Sequence, residues 1–173
     1  MNYDILSIHE KSSTVTAAGG KISAFKNSEI QRYGVRRFEQ GKMFQTSRLG
    51  EASIDRLLAD SKEWGGPGTP HEFGFAPAHT EERREKNLND SVLEAFEAGL
   101  EKLNRLFPNF VFGGTCTLQN NTTRLDSNYG LKLSSSAQLS SWYYMYQRKG
   151  SGSMMDGYFG YEDNNCDISG AID

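Results

Sequence analysis

Two His-Glu dipeptides, His9-Glu10 and His71-Glu72, are the residues of this sequence best placed to suggest metal or acid–base chemistry. A helix that grips zinc needs a second histidine one turn further on, because only ligands one turn apart share a helix face. Those positions hold Ser13 and Thr14 after the first dipeptide, and Phe75 and Ala76 after the second. Both dipeptides also lie in sequence without helical periodicity, so loop or surface roles are expected for them. His79 has no nearby Cys or His with which to build a site.

Other reactive patterns are incomplete. Cys116 stands between Thr115 and Thr117 in strand-like sequence and reads as a small buried residue, while Cys166 lies in a polar tail. A nucleophilic cysteine would need a base and an electropositive setting. No GxSxG elbow occurs, and Gly150-Ser151-Gly152 lacks its spacing. The breaker-rich Gly65-Gly66-Pro67-Gly68 has no Lys-Ser/Thr after it, so it is not a phosphate loop. Arg36, Arg37, Lys42 and Arg48 form the densest basic region; strand alternation would divide them between two faces, which favours a solvated surface over an anion site. No catalytic residue and no metal ligand is expected in this sequence.

At 173 residues, the length fits one domain. Hydrophobic residues make up 36%, glycines number 18, and mean hydropathy is −0.63. That is lean, but it still supports a core rather than disorder. Net charge is −3, from 19 basic and 22 acidic residues, with no basic stripe to suggest nucleic acid as a partner. Two cysteines without CxxC spacing form no disulfide framework, which favours a reduced, cytoplasmic setting. The N-terminus lacks the apolar run of a signal peptide, and no apolar run of 18 residues exists to span a membrane.

The elements that must position any function read as strands, helices, then strands. Residues 12–48 read as a β-meander: 13–17 and 21–25 joined by Gly19-Gly20, then 33–39 and 42–47 joined by Gln40-Gly41. Val35, Phe38, Met43 and Phe44 do not alternate cleanly, which implies a bulge or burial on both faces. Periodicity predicts a short helix over 53–64 with Ile54, Leu57, Leu58 and Ser61 on one face, then an extended loop pinned by Phe73 and Phe75. A longer helix is predicted over 81–106, with Thr80 as its cap, Glu81 and Glu82 in its first turn, and an apolar stripe from Leu88 to Phe107. The charged run 81–86 is read as its solvated face with local ion pairs. Strand 110–118 is expected to turn at Asn120-Asn121 and return over 122–126. A corner at Asn128-Tyr129-Gly130 leads into a strand over 131–148, a turn over 149–153 and a return over 154–161. Non-alternating runs of strands and helices predict an α+β fold, two β-meanders forming a largely antiparallel sheet packed on two helices.

The stretch 126–161 alternates with period two and is rich in Tyr, Ser and Gly, without His or Cys. One face of its long strand carries Leu131, Leu133, Ala137, Leu139, Tyr143 and Met145; the other carries Lys132, Ser134, Gln138, Trp142, Tyr144 and Tyr146. Two readings stay open for the second face: it covers the helices, or its amphipathic aromatics meet a partner or an extended peptide. Trp142, Tyr144 and Tyr146 are the candidate peptide or partner contacts.

Three pieces of the sequence together resemble the N-terminal domain of the TldD/PmbA family, zinc-dependent peptidases also labelled modulators of DNA gyrase. The first runs from Ser13-Thr14-Val15 through Gly20-Lys21-Ile22 and Tyr33-Gly34-Val35-Arg36 to Gln40-Gly41-Lys42. It is similar to the family's strand, Gly-Lys turn, Gly-Val-Arg strand and following Gly-Lys/Arg turn. The second is the helix predicted over 81–106. The third runs from Ser127-Asn128-Tyr129-Gly130 to Asp156-Gly157-Tyr158-Phe159-Gly160-Tyr161. The resemblance covers about 12–165 and departs from the family where only Met1–Lys11 precedes the first strand. It implies a domain over 1–165 with a polar tail at 166–173.

The resemblance also implies a division of labour. Peptidases of the family carry HExxxH and a Cys in a C-terminal domain, and this sequence stops at Asp173 before any such motif. No metal ligand carries over, and zinc is expected only in that other domain. The implied role is a non-catalytic part that helps to form a homo- or heterodimer and admits unfolded peptide. The implied partners are a C-terminal peptidase domain or a homologous subunit, with no nucleic acid and no membrane. The alternative is a stand-alone interaction or regulatory domain that never had a peptidase partner.

Overall fold

The computed structural model describes residues 1–71, 74–84, 91–162 and 168–172. In chain order these form β1 (Asn2–Ala18), β2 (Lys21–Glu39), β3 (Lys42–Leu49), α1 (Ile54–Glu63), β4 (Thr69–Pro70), β5 (His79–Arg84), α2 (Val92–Leu106), β6 (Phe110–Ser127), β7 (Leu131–Arg148), β8 (Gly157–Glu162) and α3 (Ile168–Ile172). The strands join in one sheet of order β4-β3-β2-β1-β6-β7-β5, with β8 also paired to β7. Pairing is mostly antiparallel; β5 runs parallel to the start of β7. The class is α+β, as expected. Among the described residues no helix is long and apolar enough to cross a membrane.

The turns of the first meander fall where glycine allows them. Gly19 and Gly20 adopt φ of 62° and 77°, and Gln40-Gly41 adopts 51° and 69°. Such left-handed pairs match the twist of the strands they join. The strands themselves are longer than expected. The first begins at Asn2 rather than near residue 12, and 21–25 and 33–39 are two parts of the single strand β2. No bulge interrupts the β2–β3 ladder, which runs in register from Arg32↔Leu49 to Glu39↔Lys42. The uneven pattern there reflects burial on both faces, Arg37 and Phe38 both being buried.

Helix α1 matches its expected place. Ser53 accepts a hydrogen bond from the Arg56 N–H at 3.3 Å, capping the first turn, and Asp55 and Lys62 suit its two ends. The second helix is shorter than expected. Residues 79–84 are a strand, so Thr80 caps nothing, and Glu81 and Glu82 sit in β5. Its charged side chains still pair locally, Arg83 with Glu81 and Arg84 with Glu82. Residues 85–90, Leu88 among them, lie outside the described residues. Asn120-Asn121 makes no turn: β6 runs unbroken from Phe110 to Ser127, because ladders on both of its sides hold these two residues extended.

By contacts the chain forms two compact units. The first comprises Met1–Glu10, Glu29–Glu85 and Asn121–Ala137. Its core joins Ile5, Val35 and Leu57, with Tyr3, Tyr33, Ala52 and Leu58 packed around them. The second comprises Lys11–Ser28, Lys86–Asn120 and Gln138–Asp173. There α2 lays Val92, Phe96, Leu100 and Leu103 onto Val15, Ala17, Phe112, Cys116, Leu118, Trp142 and Tyr144, and Ile168 of α3 joins them. This is the stripe at steps of three and four meeting one face of a sheet, which is how most helices gain their stability.

Candidate functional site

The aromatic strand β7 lies with the expected binding face turned inward. Trp142 is 4% exposed and Tyr144 0%. The Tyr144 ring stacks on Phe96 with centroids 4.5 Å apart, and its hydroxyl donates to the Phe96 carbonyl at 2.5 Å. Gly99, one turn further along α2, makes room for that hydroxyl: a Cβ there would stand 2.6 Å from it. Trp142 meets Phe159 edge-on, and Tyr146 meets Phe110 in the same way. Tyr146 also lines an apolar cavity of about 400 Å³ with Leu103, Phe107, Phe110, Phe112, Phe159 and Ile172. Placed like this, Trp142 and Tyr144 offer no surface to a peptide. The Tyr144 hydroxyl, which suggested a wet face, is accommodated by the helix that covers it, whereas Trp142 Nε1 is buried with no hydrogen-bond partner among the described residues. A glycine at 99 in the middle of an apolar helix stripe was the available signal, since it marks close approach.

What β7 leaves exposed is the other face. Leu139 is exposed, Tyr143 is 41% exposed, and the Tyr143 hydroxyl accepts from Thr115 Oγ1 at 3.3 Å. The edge of β7 is taken twice, by β5 along 131–136 and by β8 along 141–146. Among the described residues, the edge that remains in this part of the sheet belongs to β8, where Tyr158 is 71% exposed and lies opposite Met145.

In the first unit, the strands build a polar cluster that the sequence did not announce. Asp4 of β1 is 1% exposed. Arg36 of β2 forks onto it, Nε to Oδ1 and Nη2 to Oδ2, both at 2.8 Å. The Tyr129 hydroxyl donates to Asp4 Oδ2 at 3.1 Å from the corner between β6 and β7. Asn128 fixes that corner, its Oδ1 accepting from the Tyr3 N–H at 2.9 Å. Bidentate pairing of this kind is directional as well as strong. Two open grooves flank Leu6 and Leu125: one of about 740 Å³ bordered by Asp4, Arg36, Gln45 and Ser47, and one of about 480 Å³ bordered by Glu81, Arg83, Thr123 and Leu133.

The Asp4 hydrogen bond raises the Arg36 guanidinium above its ordinary value, so it stays charged throughout the working range. Burial, and next the Asp4 carboxylate, push the Tyr129 phenol up from its ordinary value. The fold thus favours the neutral phenol. Its contribution is complete below the unfolded value near pH 10 and is lost as pH rises through the higher folded value. Denaturant midpoints measured against pH should therefore fall above about pH 10 more steeply in the native chain than in Tyr129→Phe. Equal slopes would remove Tyr129 from this account.

The remaining sequence candidates are dispersed. His9 Nε2 lies 2.6 Å from Glu29 Oε1 on the exposed β1–β2 hairpin. His71 packs against the rings of Phe38 and Phe75, and its backbone N–H donates to Gly41. His79 opens β5, its backbone N–H donating to the Gly130 carbonyl. Phe75 also reaches Tyr129, so the loop is pinned as expected at that residue; Glu72, Phe73 and Cys166 lie outside the described residues. Cys116 is buried, its Sγ 3.8 Å from the Val92 carbonyl. Arg36 and Arg37 do point to opposite faces: Arg37 pairs with Glu39 and lies 4.3 Å over the Phe44 ring, while Arg48 pairs with Asp60 at 2.9 Å. Among the described residues no three His, Cys, Asp or Glu side chains come together as metal ligands.

No protein-family profile and no curated protein matches the sequence. Solved structures do match its fold. TldE from Thermococcus kodakarensis superimposes with a TM-score of 0.70 at 13% identity, covering 99% of this chain and 42% of the TldE chain. A proposed modulator of a DNA gyrase from Thermotoga maritima gives 0.73 at 9% identity, with the same coverages. A further proposed modulator of DNA gyrase, from Bacteroides thetaiotaomicron, gives 0.63 at 11% identity, covering 92% of this chain and 40% of that one. The chain spans about two fifths of the length of the structures it matches. Nearly from end to end, this chain has the fold of one part of TldE and of those gyrase-modulator proteins: the TldD/PmbA fold.

Proposed function

We propose that this chain is the non-catalytic, peptide-admitting part of a TldD/PmbA-type zinc peptidase of the cytoplasm, and that it also contributes to that protein's dimer. The observation that carries the proposal is the fold likeness over 99% of the chain, which persists at 9–13% identity. Zinc and the cutting groups are assigned to another part of the parent protein. The role left to this part is to hold a chain in extended form. The edge of β8 suits that role: one side of it is laddered to β7, and the exposed Tyr158 stands beside it. An extended peptide added there would bind through main-chain hydrogen bonds, which tolerate varied side chains.

The test separates backbone from side-chain recognition. A labelled, unstructured ten-residue peptide is titrated against the chain by fluorescence anisotropy. Scrambling its sequence should change affinity by less than about threefold, whereas N-methylating alternate residues should weaken it by about tenfold or more, since several main-chain bonds are lost together. Tyr158→Ala should weaken both the original and the scrambled peptide alike. Strict dependence on peptide sequence, with indifference to N-methylation, would favour a dedicated interaction domain instead.

A further inference from the structure

The first part of β2 presents an edge that no other strand takes up among the described residues. β3 pairs only with Arg32–Glu39, and the Gly50 N–H closes on the Gln31 carbonyl just before that ladder. Upstream, residues 21–27 and Glu29 are exposed, Phe25 to 60%. A long exposed edge is normally a hazard, blunted by charge. Lys21, Lys26 and Glu29 supply charge here, but their spacing does more than repel.

We infer that this edge pairs, antiparallel and in one register, with the same edge of a second copy of the chain. In a two-fold strand pair centred on Phe25, Lys21 faces Glu29 of the other copy at both ends, Ser23 faces Asn27, and the two Phe25 rings meet across the axis. An isologous contact requires this kind of self-complementarity. The neighbouring registers lack it. A shift of one residue either way, or a centre on Ala24, sets no opposite charges across from each other, and a centre on Lys26 sets two lysines face to face. Opposite-charge and aromatic cross-strand pairs each stabilise a sheet, and like charges directly opposite destabilise it.

The hairpin behind the edge is held in shape. Ser12 bonds Ser28 and Ser13 bonds Asn27, both at 2.8 Å, and His9 steadies Glu29. The assignment rests on the dimeric reading proposed above and names its surface. It makes no use of β8.

Sedimentation velocity over a concentration series tests it. The native chain should dimerise with rising concentration, and amide hydrogen exchange over 21–29 should slow in step. Lys21→Glu places two glutamate pairs across the axis and should weaken the dimer by about tenfold or more. The reciprocal variant Lys21→Glu/Glu29→Lys should restore it to within about threefold. Circular dichroism checks that both variants are folded. A chain that stays monomeric, or a double variant as weak as the single one, overturns the assignment. Peptide affinity, read on the same variants, should be unchanged. Loss of dimer with peptide binding intact condemns only this edge, and loss of peptide binding in the native chain condemns only the peptide reading.

Discussion

Tyr144→Ala should strongly destabilise this chain rather than blunt its recognition of anything. Removing a fully buried ring that stacks on Phe96 leaves a cavity beneath α2, and such truncations cost about 4 kcal/mol. Tyr144→Phe keeps the ring and loses only the bond to the Phe96 carbonyl, for about 1 kcal/mol. Urea denaturation of the pair checks both values. The comparison is informative because sequence pattern alone left open whether Tyr144 covers the helices or is a surface contact. A Tyr144→Ala chain of native stability and reduced peptide affinity would restore that reading and discard the buried one.

Gly114→Ala is the second large effect. Gly114 lies buried in β6 at φ 155°, where residues with side chains are rare, and a Cβ there would overlap the carbonyl oxygen of Tyr143 on the next strand. The obstacle is backbone inside a ladder, so no side chain can swing aside, and about 3 kcal/mol or more of stability should be lost. Gly113→Ala is the control. Its nearest neighbour, the Ala17 carbonyl oxygen, stands 3.1 Å away, a tight contact that offsets the strand's preference for alanine, so stability should change by less than about 1 kcal/mol. If the two variants melt together, the close approach at Gly114 does not limit the structure.

How much could be read from residues alone depended on the range of the interactions. Helix α1 and the glycine turns of the first meander are local devices, and they stand where periodicity and turn chemistry put them, although Ile54 of the expected stripe is exposed while Leu57 and Ser61 are buried. Residues 81–84 looked helical because Glu and Arg favour helices and pair at short range. The ladder of β5 with residues 131–136 outweighs that preference. Asn120-Asn121 lost its turn for the same reason. Asp4 reads as an ordinary surface acid until Arg36 and Tyr129, distant in sequence, arrive beside it. The second face of β7 stayed open between two readings because aromatic rings with polar atoms suit either; Trp142 and Tyr144 are buried, and a glycine in α2 admits the Tyr144 hydroxyl to the core.

The parallel pairing of β5 with β7 has a kinetic consequence. The β1–β2 hairpin closes through a two-residue turn and can zip from there as soon as both strands exist. β5 has no such route. Its partner lies about fifty residues downstream, beyond α2 and the whole of β6, so a large loop must close before its first bond forms. It is therefore among the last strands to lock during folding, and among the first to come away when the chain is strained.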